Sequence, residues 1–150
     1  MLSLDKLIKR LETFQANIPE HVMDIVKENQ NDIVKYVTDI QHYMEGIRGS
    51  DGAVMMSYMP YAESTIKRKI SKGQPTDRVT LRDTERLHDE TEIIFGADEF
   101  EITSPVEYLI WVLRRYGEGV MALSDEHVES IKIAMIRPGM IEKLKEAIYE

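Results

Sequence analysis

Apolar positions recur along this chain mostly at helical spacing, with one short interval of strand-like alternation. Leu4, Leu7, Ile8, Leu11 and Phe14 follow the three-and-four rhythm of an amphipathic helix. Pro19 then stands where a first helical turn accepts proline. From there Val22, Val26, Asn29, Ile33, Val37, Ile40 and Met44 form one stripe, broken only by the polar Asn29. That stripe predicts a helix of roughly 26 residues, about 40 Å long, paired antiparallel with the first helix as a helical hairpin over residues 1–48. Gly46, Gly49, Ser50, Asp51 and Gly52 predict a flexible loop, and Met55, Met56 and Met59 follow without periodicity. This loop is expected to order against a neighbour.

Ser64 to Lys72 reads as a short basic helix closed by Gly73, with residues 73–80 as a polar loop. Residues 92–96 and 99–103 predict an antiparallel hairpin turning through Gly96, Ala97 and Asp98, with Phe100 and Ile102 inward. A lone hairpin is marginal in water and needs backing from helices or from a third strand, for which Val79 to Leu81 is the candidate. Ser104, Pro105 and Glu107 form the pattern of a capping box and predict a helix over 105–116 that ends at Gly117. This helix is apolar on two sides. Val106, Leu109, Ile110 and Leu113 make one face, and Tyr108, Trp111 and Val112 the other, with Tyr116 at its end. Ser124 caps a further helix with Val128, Ile131 and Met135 inward; Pro138 is expected to break it before a last helix carrying Ile141, Leu144 and Ile148. The expected fold is α+β: one helix-rich domain over 1–150, with an α+β body over 58–150 and a small antiparallel hairpin or three-stranded sheet packed against helices.

Composition narrows the function classes. The chain has 150 residues and no cysteine, which removes disulfides and thiolate zinc sites. The first residues lack the pattern of a signal peptide, and no apolar run approaches the roughly 20 residues that span a bilayer, so no membrane partner is expected. Net charge is −8 and unevenly spread: −3 over residues 1–60, +3 over 61–88 and −8 over 89–150. An acidic body argues against nucleic-acid binding, because affinity there comes from neutralising phosphates; the basic middle suits an acidic partner or the transient passage of DNA.

Catalytic patterns are thin. His21, His42, His88 and His127 make no His-x-x-x-His pair. His88, Asp89 and Glu92 are the one set that a metal-dependent hydrolase could use. Asp83-Thr84 has the start of an aspartic-protease motif, but Glu85 stands where that motif needs glycine, so Asp83 reads as an N-cap for Thr84–His88. No phosphate loop, dinucleotide fingerprint or nucleophile triad is present, and neither a cofactor nor a metal is expected.

What remains is an order of motifs. Tyr61, Thr65 and Lys69 give Tyr…Thr-x-x-x-Lys. Leu81, Asp83, Thr84 and Leu87 give Leu-x-Asp-Thr-x-x-Leu. A strand pair follows, then Ser104, Pro105 and Tyr108 leading to Gly117, and finally Arg137-Pro138. This order resembles the tail-completion and head–tail joining proteins of tailed bacteriophages, also called minor tail or virion-morphogenesis proteins. Glu85 replaces the motif glycine and Leu109 the small residue after the tyrosine. Glutamate resists the positive φ that glycine tolerates. The resemblance implies a non-enzymatic structural subunit of a phage or prophage, folded and assembled in the bacterial cytoplasm and built into the virion. Its partners would be copies of itself in a ring and neighbouring neck or tail proteins. A ring needs two complementary faces, and Tyr108, Trp111, Val112 and Tyr116 are the candidate interface. The alternative is a small protein-binding or regulatory module that uses the N-terminal helices.

Overall fold

The computed structural model describes residues 1–150, except for the side chain of Tyr58, at the start of the motif region. The fold is α+β: helices surround a two-stranded antiparallel hairpin. Helix α1 (Leu4–Ala16) is capped by Ser3, whose hydroxyl accepts from the amide of Lys6. It has no buried residue and lies chiefly against the C-terminal helix, touching the start of the next helix as the chain turns. Of its apolar stripe, Leu4, Ile8 and Leu11 stay exposed.

The expected long helix is present in three pieces: α2 (Ile18–Glu28), α3 (Gln30–Lys35) and a π-helical segment over Tyr36–Glu45. Asn29 marks the first joint at φ −108°, its side-chain amide donating to the carbonyl of Ile25. The π segment corrects the predicted stripe. Bonding from i to i+5 takes an extra residue into each turn, so the inward face drifts off the three-and-four rhythm. Val37, Thr38, Gln41 and His42 are buried, while Met44 is 66% exposed.

The stretch after Gly46 is corrected more strongly. Residues 47–54 close a tight loop through the bridge between Ile47 and Val54, and Arg48 forms a two-pronged ion pair with Asp51. Met55 opens α4 (Met55–Tyr58) and is fully buried. The loop therefore orders against its own chain: Arg48 also donates to the carbonyl of Tyr116, and the amide of Ser50 donates to the carbonyl of Gly119.

Helix α5 (Glu63–Ser71) matches its expected span, with Gly73 following at φ +68°. Val79–Leu81 forms no third strand. Val79 and Thr80 are buried in irregular backbone, and Leu81 takes a left-handed φ of +53°. The sheet is β1 (Glu92–Phe95) against β2 (Phe100–Thr103), with Ile93 opposite Ile102 and Phe95 opposite Phe100. Its inner face joins Val26, Ile33, Val37 and Ile131 in one core. A second core gathers Met55, Val79, Tyr116, Val120 and Met121.

Two helix boundaries also differ. The capping box at Ser104 does not form, and α7 runs only over Leu109–Tyr116. Glu107 is drawn away by Arg86, which it meets through both oxygens at 2.7 and 2.9 Å; a two-pronged charged pair outcompetes a single reach-back to a backbone amide. After a 3₁₀ turn over Glu118–Met121, Ser124 caps α8 (Asp125–Ile131) as expected. Pro138 does not break the helix there. The rod continues through a π-helical turn (Lys132–Ile136) into α9 (Arg137–Tyr149). Proline normally clashes with the carbonyl four residues back; the wider turn ahead of it removes that clash.

Candidate functional site

One cleft of about 330 Å³ opens on the second core. Helix α5 forms its first wall. Thr65 and Lys69 lie four residues apart, so both point to the same helix face and line the cleft with Arg68. The second wall is the irregular segment through Val79, Leu81, Arg82, Asp83 and Thr84, ending at Leu87 in the short helix α6 (Arg86–Asp89). The third is the α7 side, with Tyr108, Val112 and Tyr116. Tyr61 ties the walls together: its hydroxyl accepts from the amide of Thr80 at 3.2 Å, and burial pushes its pKa up.

Lys69 is the unusual member. It is 6% exposed, and its ammonium stands 5.0 Å above the ring of Tyr61. That ring is its partner; among the described residues no carboxylate forms an ion pair with it. Asp83, the nearest acid in the lining, is taken by Lys72 at 2.9 Å. Burial lowers the pKa of Lys69, and the nearby Asp83 charge partly opposes this. The cleft thus has an aromatic and aliphatic lining with a cation held in it at a desolvation cost.

The thirteen motif residues divide in two. Tyr61, Thr65, Lys69, Leu81, Asp83, Thr84, Leu87 and Tyr108 line the cleft. Ser104, Pro105, Gly117, Arg137 and Pro138 lie outside it. Ser104 is buried and accepts from the amide of Val106, and Gly117 ends α7 at φ +99°. The interface set also separates. Tyr108, Val112 and the buried Tyr116 line the cleft, whereas Trp111 lies outside it, 64% exposed with Arg114 stacked on it. Sequence reading missed Val79 and Arg82 as cleft residues, because neither belongs to a periodic segment.

Asp83 is not an N-cap. The position before α6 is Glu85, at φ +64° and ψ −11°. The tight turn forms without its glycine, and the strain is held by glutamate. Glu85→Gly is therefore expected to raise stability by about 0.5–1 kcal/mol, since relief of the left-handed conformation exceeds the extra freedom of the unfolded glycine. Glu85→Val should lower it. Thermal melting of both variants checks this, and a loss in the glycine variant would show that Glu85 is not strained.

A buried polar chain runs beside the cleft. Arg82 donates through Nε to Nδ1 of His88 at 2.9 Å. Arg82 can only donate, so His88 carries its proton on Nε2 and donates to Nδ1 of His42 at 3.3 Å. His42 then donates from its own Nε2 to the carbonyl of Val120 at 2.8 Å. Both rings are neutral in this arrangement. Burial drives His42 down to about 4 and His88 to about 3, with the Arg82 charge adding to both effects. Arg82 is anchored outside by Asp39 at 2.6 Å. His88, Asp89 and Glu92 do border one polar groove, but both nitrogens of His88 are engaged. Among the described residues no group of three or more His, Asp or Glu could hold a metal ion.

Comparison with known protein families, curated proteins and solved structures finds no match.

Proposed function

We propose that this chain is a non-enzymatic structural subunit of a phage or prophage, a head–tail adaptor or tail-completion protein built into the virion. The observation that supports this reading is the meeting of eight motif residues, from three separated segments, around one cleft. The order of these residues along the chain carries the resemblance, and their convergence gives that order a common physical purpose. The lining is that of an anchor site: aromatic and aliphatic walls suited to one or two side chains of a protein partner. Mass spectrometry and electron microscopy of particles from a host carrying the gene test the reading. The chain is expected in purified virions at a neck or tail-end position. Its absence from particles that assemble normally without it would overturn the proposal.

A second reading has one observation in its favour. Leu4, Ile8 and Leu11 form an exposed stripe on α1, which suits a protein-binding or regulatory module that receives a partner there. Capture of one host protein, lost in Ile8→Glu and with no association with particles, would favour that reading.

A further inference from the structure

The charges of the cleft do not balance within it. Its lining holds the cations Arg68, Lys69 and Arg82 and a single acid, Asp83. Arg82 is matched by Asp39, 2.6 Å away. Asp83 is matched from outside the lining by Lys72 at 2.9 Å. The field of Asp83 reaches Lys69, but the two form no ion pair. Arg68 and Lys69 are thus left without a carboxylate partner among the described residues, and they are neighbours on one wall. Arg68 is exposed, whereas Lys69 is almost fully buried, one side of its ammonium covered by the face of Tyr61. An ammonium has three donors, and none of those on Lys69 is given to an oxygen of a described residue. The hydroxyls of Thr65 and Tyr108, on the same lining, also hydrogen-bond to no other described residue. Around these unfilled donors the walls are tyrosine, valine and leucine.

We infer that the cleft binds a carboxylate carried on an aromatic-sized apolar group, the carboxylate meeting Lys69, Arg68 and Thr65 and the apolar body covering Tyr61, Tyr108 and Val112. The inference rests on the reading of the cleft as an anchor site and names the chemistry it takes. Lys69 has already lost most of its water, so an incoming anion meets little further desolvation cost on the protein side. The carboxylate exchanges its own water for charge-assisted hydrogen bonds. A single negative charge is the fitting complement, because a second one would be repelled by Asp83. A cleft of about 330 Å³ holds one ring with its acid chain. Such a group comes free, as a small aryl acid, or from a partner chain, as an acidic side chain beside an aromatic one.

Nitrogen-15 titrations of the full chain test this with hydrocinnamate, its neutral amide, and the blocked dipeptides acetyl-Glu-Phe-amide and acetyl-Gln-Phe-amide. At least one acid should give saturable shifts at the amides of Thr65, Arg68, Lys69 and Val112, and should bind about tenfold tighter than its neutral counterpart. Lys69→Met keeps the length of the side chain without its charge. It should erase the preference for acid over amide and leave binding of the amide unchanged. Arg68→Gln, at an exposed position, should weaken the acid severalfold without shifting the melting temperature, and it serves where Lys69→Met disturbs the fold. Tighter binding of the dipeptide acid assigns the group to a partner chain; binding of hydrocinnamate alone assigns it to a free acid; each keeps the site. Equal affinity for acid and neutral probes in the wild type would overturn the inference. So would the absence of saturable shifts with either acid, or a preference for acid that survives both substitutions. The virion test is separate. A chain absent from particles that still selects the acid removes the phage reading and keeps the site; a chain in particles that shows no such selection does the reverse.

Discussion

Gly49→Ala is expected to cost more than about 3 kcal/mol, lowering the melting temperature by roughly 6–12 °C or more. A β-carbon at residue 49 would lie 1.6 Å from the carbonyl oxygen of Ala122 and 2.3 Å from its carbon. Both are backbone atoms, so no rotamer change can make room. The carbonyl cannot withdraw cheaply either. It accepts from the side-chain amide of Gln41 at 2.7 Å, and the same side chain accepts from the amide of Ser124 at 3.0 Å. Gly119 has the reciprocal constraint: its β-carbon would stand 2.1 Å from that of Ser50. Segments 49–50 and 119–122 thus pack backbone on backbone, and Gly119→Ala should destabilise similarly. Gly52→Ala is the control. Gly52 has nothing within 4 Å and a φ of +67°, so that change should cost only about 1 kcal/mol of backbone strain. Denaturant titration of the three variants checks the ranking; a Gly49→Ala protein as stable as Gly52→Ala would show that the two segments do not press together.

The same contact shows what the sequence could and could not disclose. Gly49 was legible as a loop glycine, but its close approach to Ala122, and that of Gly119 to Ser50, join segments about 70 positions apart, which no local pattern records. Where burial follows local period, reading succeeded. The hairpin, with Phe100 and Ile102 on its inner face, and the Ser124 cap both follow from neighbours in sequence. It failed where the period itself changed. The π segment turned Gln41 and His42 inward and Met44 outward, and the π-helical turn before Pro138 let the helix continue. It failed again where a distant partner competed, as Arg86 did for Glu107. The cleft was half legible. Thr65 and Lys69 share a helix face by spacing alone, whereas Val79 and Arg82 reach the site through irregular backbone. Glu85 shows the limit of residue rules: the turn expected to need glycine forms at φ +64° without it.

Stability should fall steeply as pH drops from 7 to 5.5, and the cause is the His42–His88 pair. Both rings must stay neutral for their chain of hydrogen bonds to hold, because Arg82 occupies one end as a permanent donor and the carbonyl of Val120 accepts at the other. In the unfolded chain each ring protonates near 6.5, while the folded values lie at about 4 and about 3. Above pH 6.5 neither state binds the protons, and the full stability is present. Below it the unfolded state binds them first, so stability declines down to the folded values. Each pH unit within that window is worth about 1.4 kcal/mol per histidine; at pH 5.5 the pair should have lost up to about 3 kcal/mol, a large part of a typical total of roughly 5–15 kcal/mol. Carboxylates do not confuse this range. Asp51, held at about 2 by Arg48, and Glu107, held low by Arg86, lose their contribution only as the unfolded acids protonate, further down the scale. Urea midpoints measured at half-unit steps should give the slope, and His42→Gln or His88→Gln should each remove about half of it while lowering stability at pH 7. A flat profile between pH 7 and 5.5 would mean that the two rings are not held neutral in the core. Nitrogen-15 spectra of the wild type at pH 6 give the independent check: both rings should show the proton on Nε2. The consequence reaches the cleft, since Arg82 and Leu87 line it while Arg82 and His88 anchor the chain. Acid should therefore loosen the second wall of the cleft before the hairpin core, and amide exchange at Val79–Leu87 should rise ahead of exchange at Ile93 and Ile102.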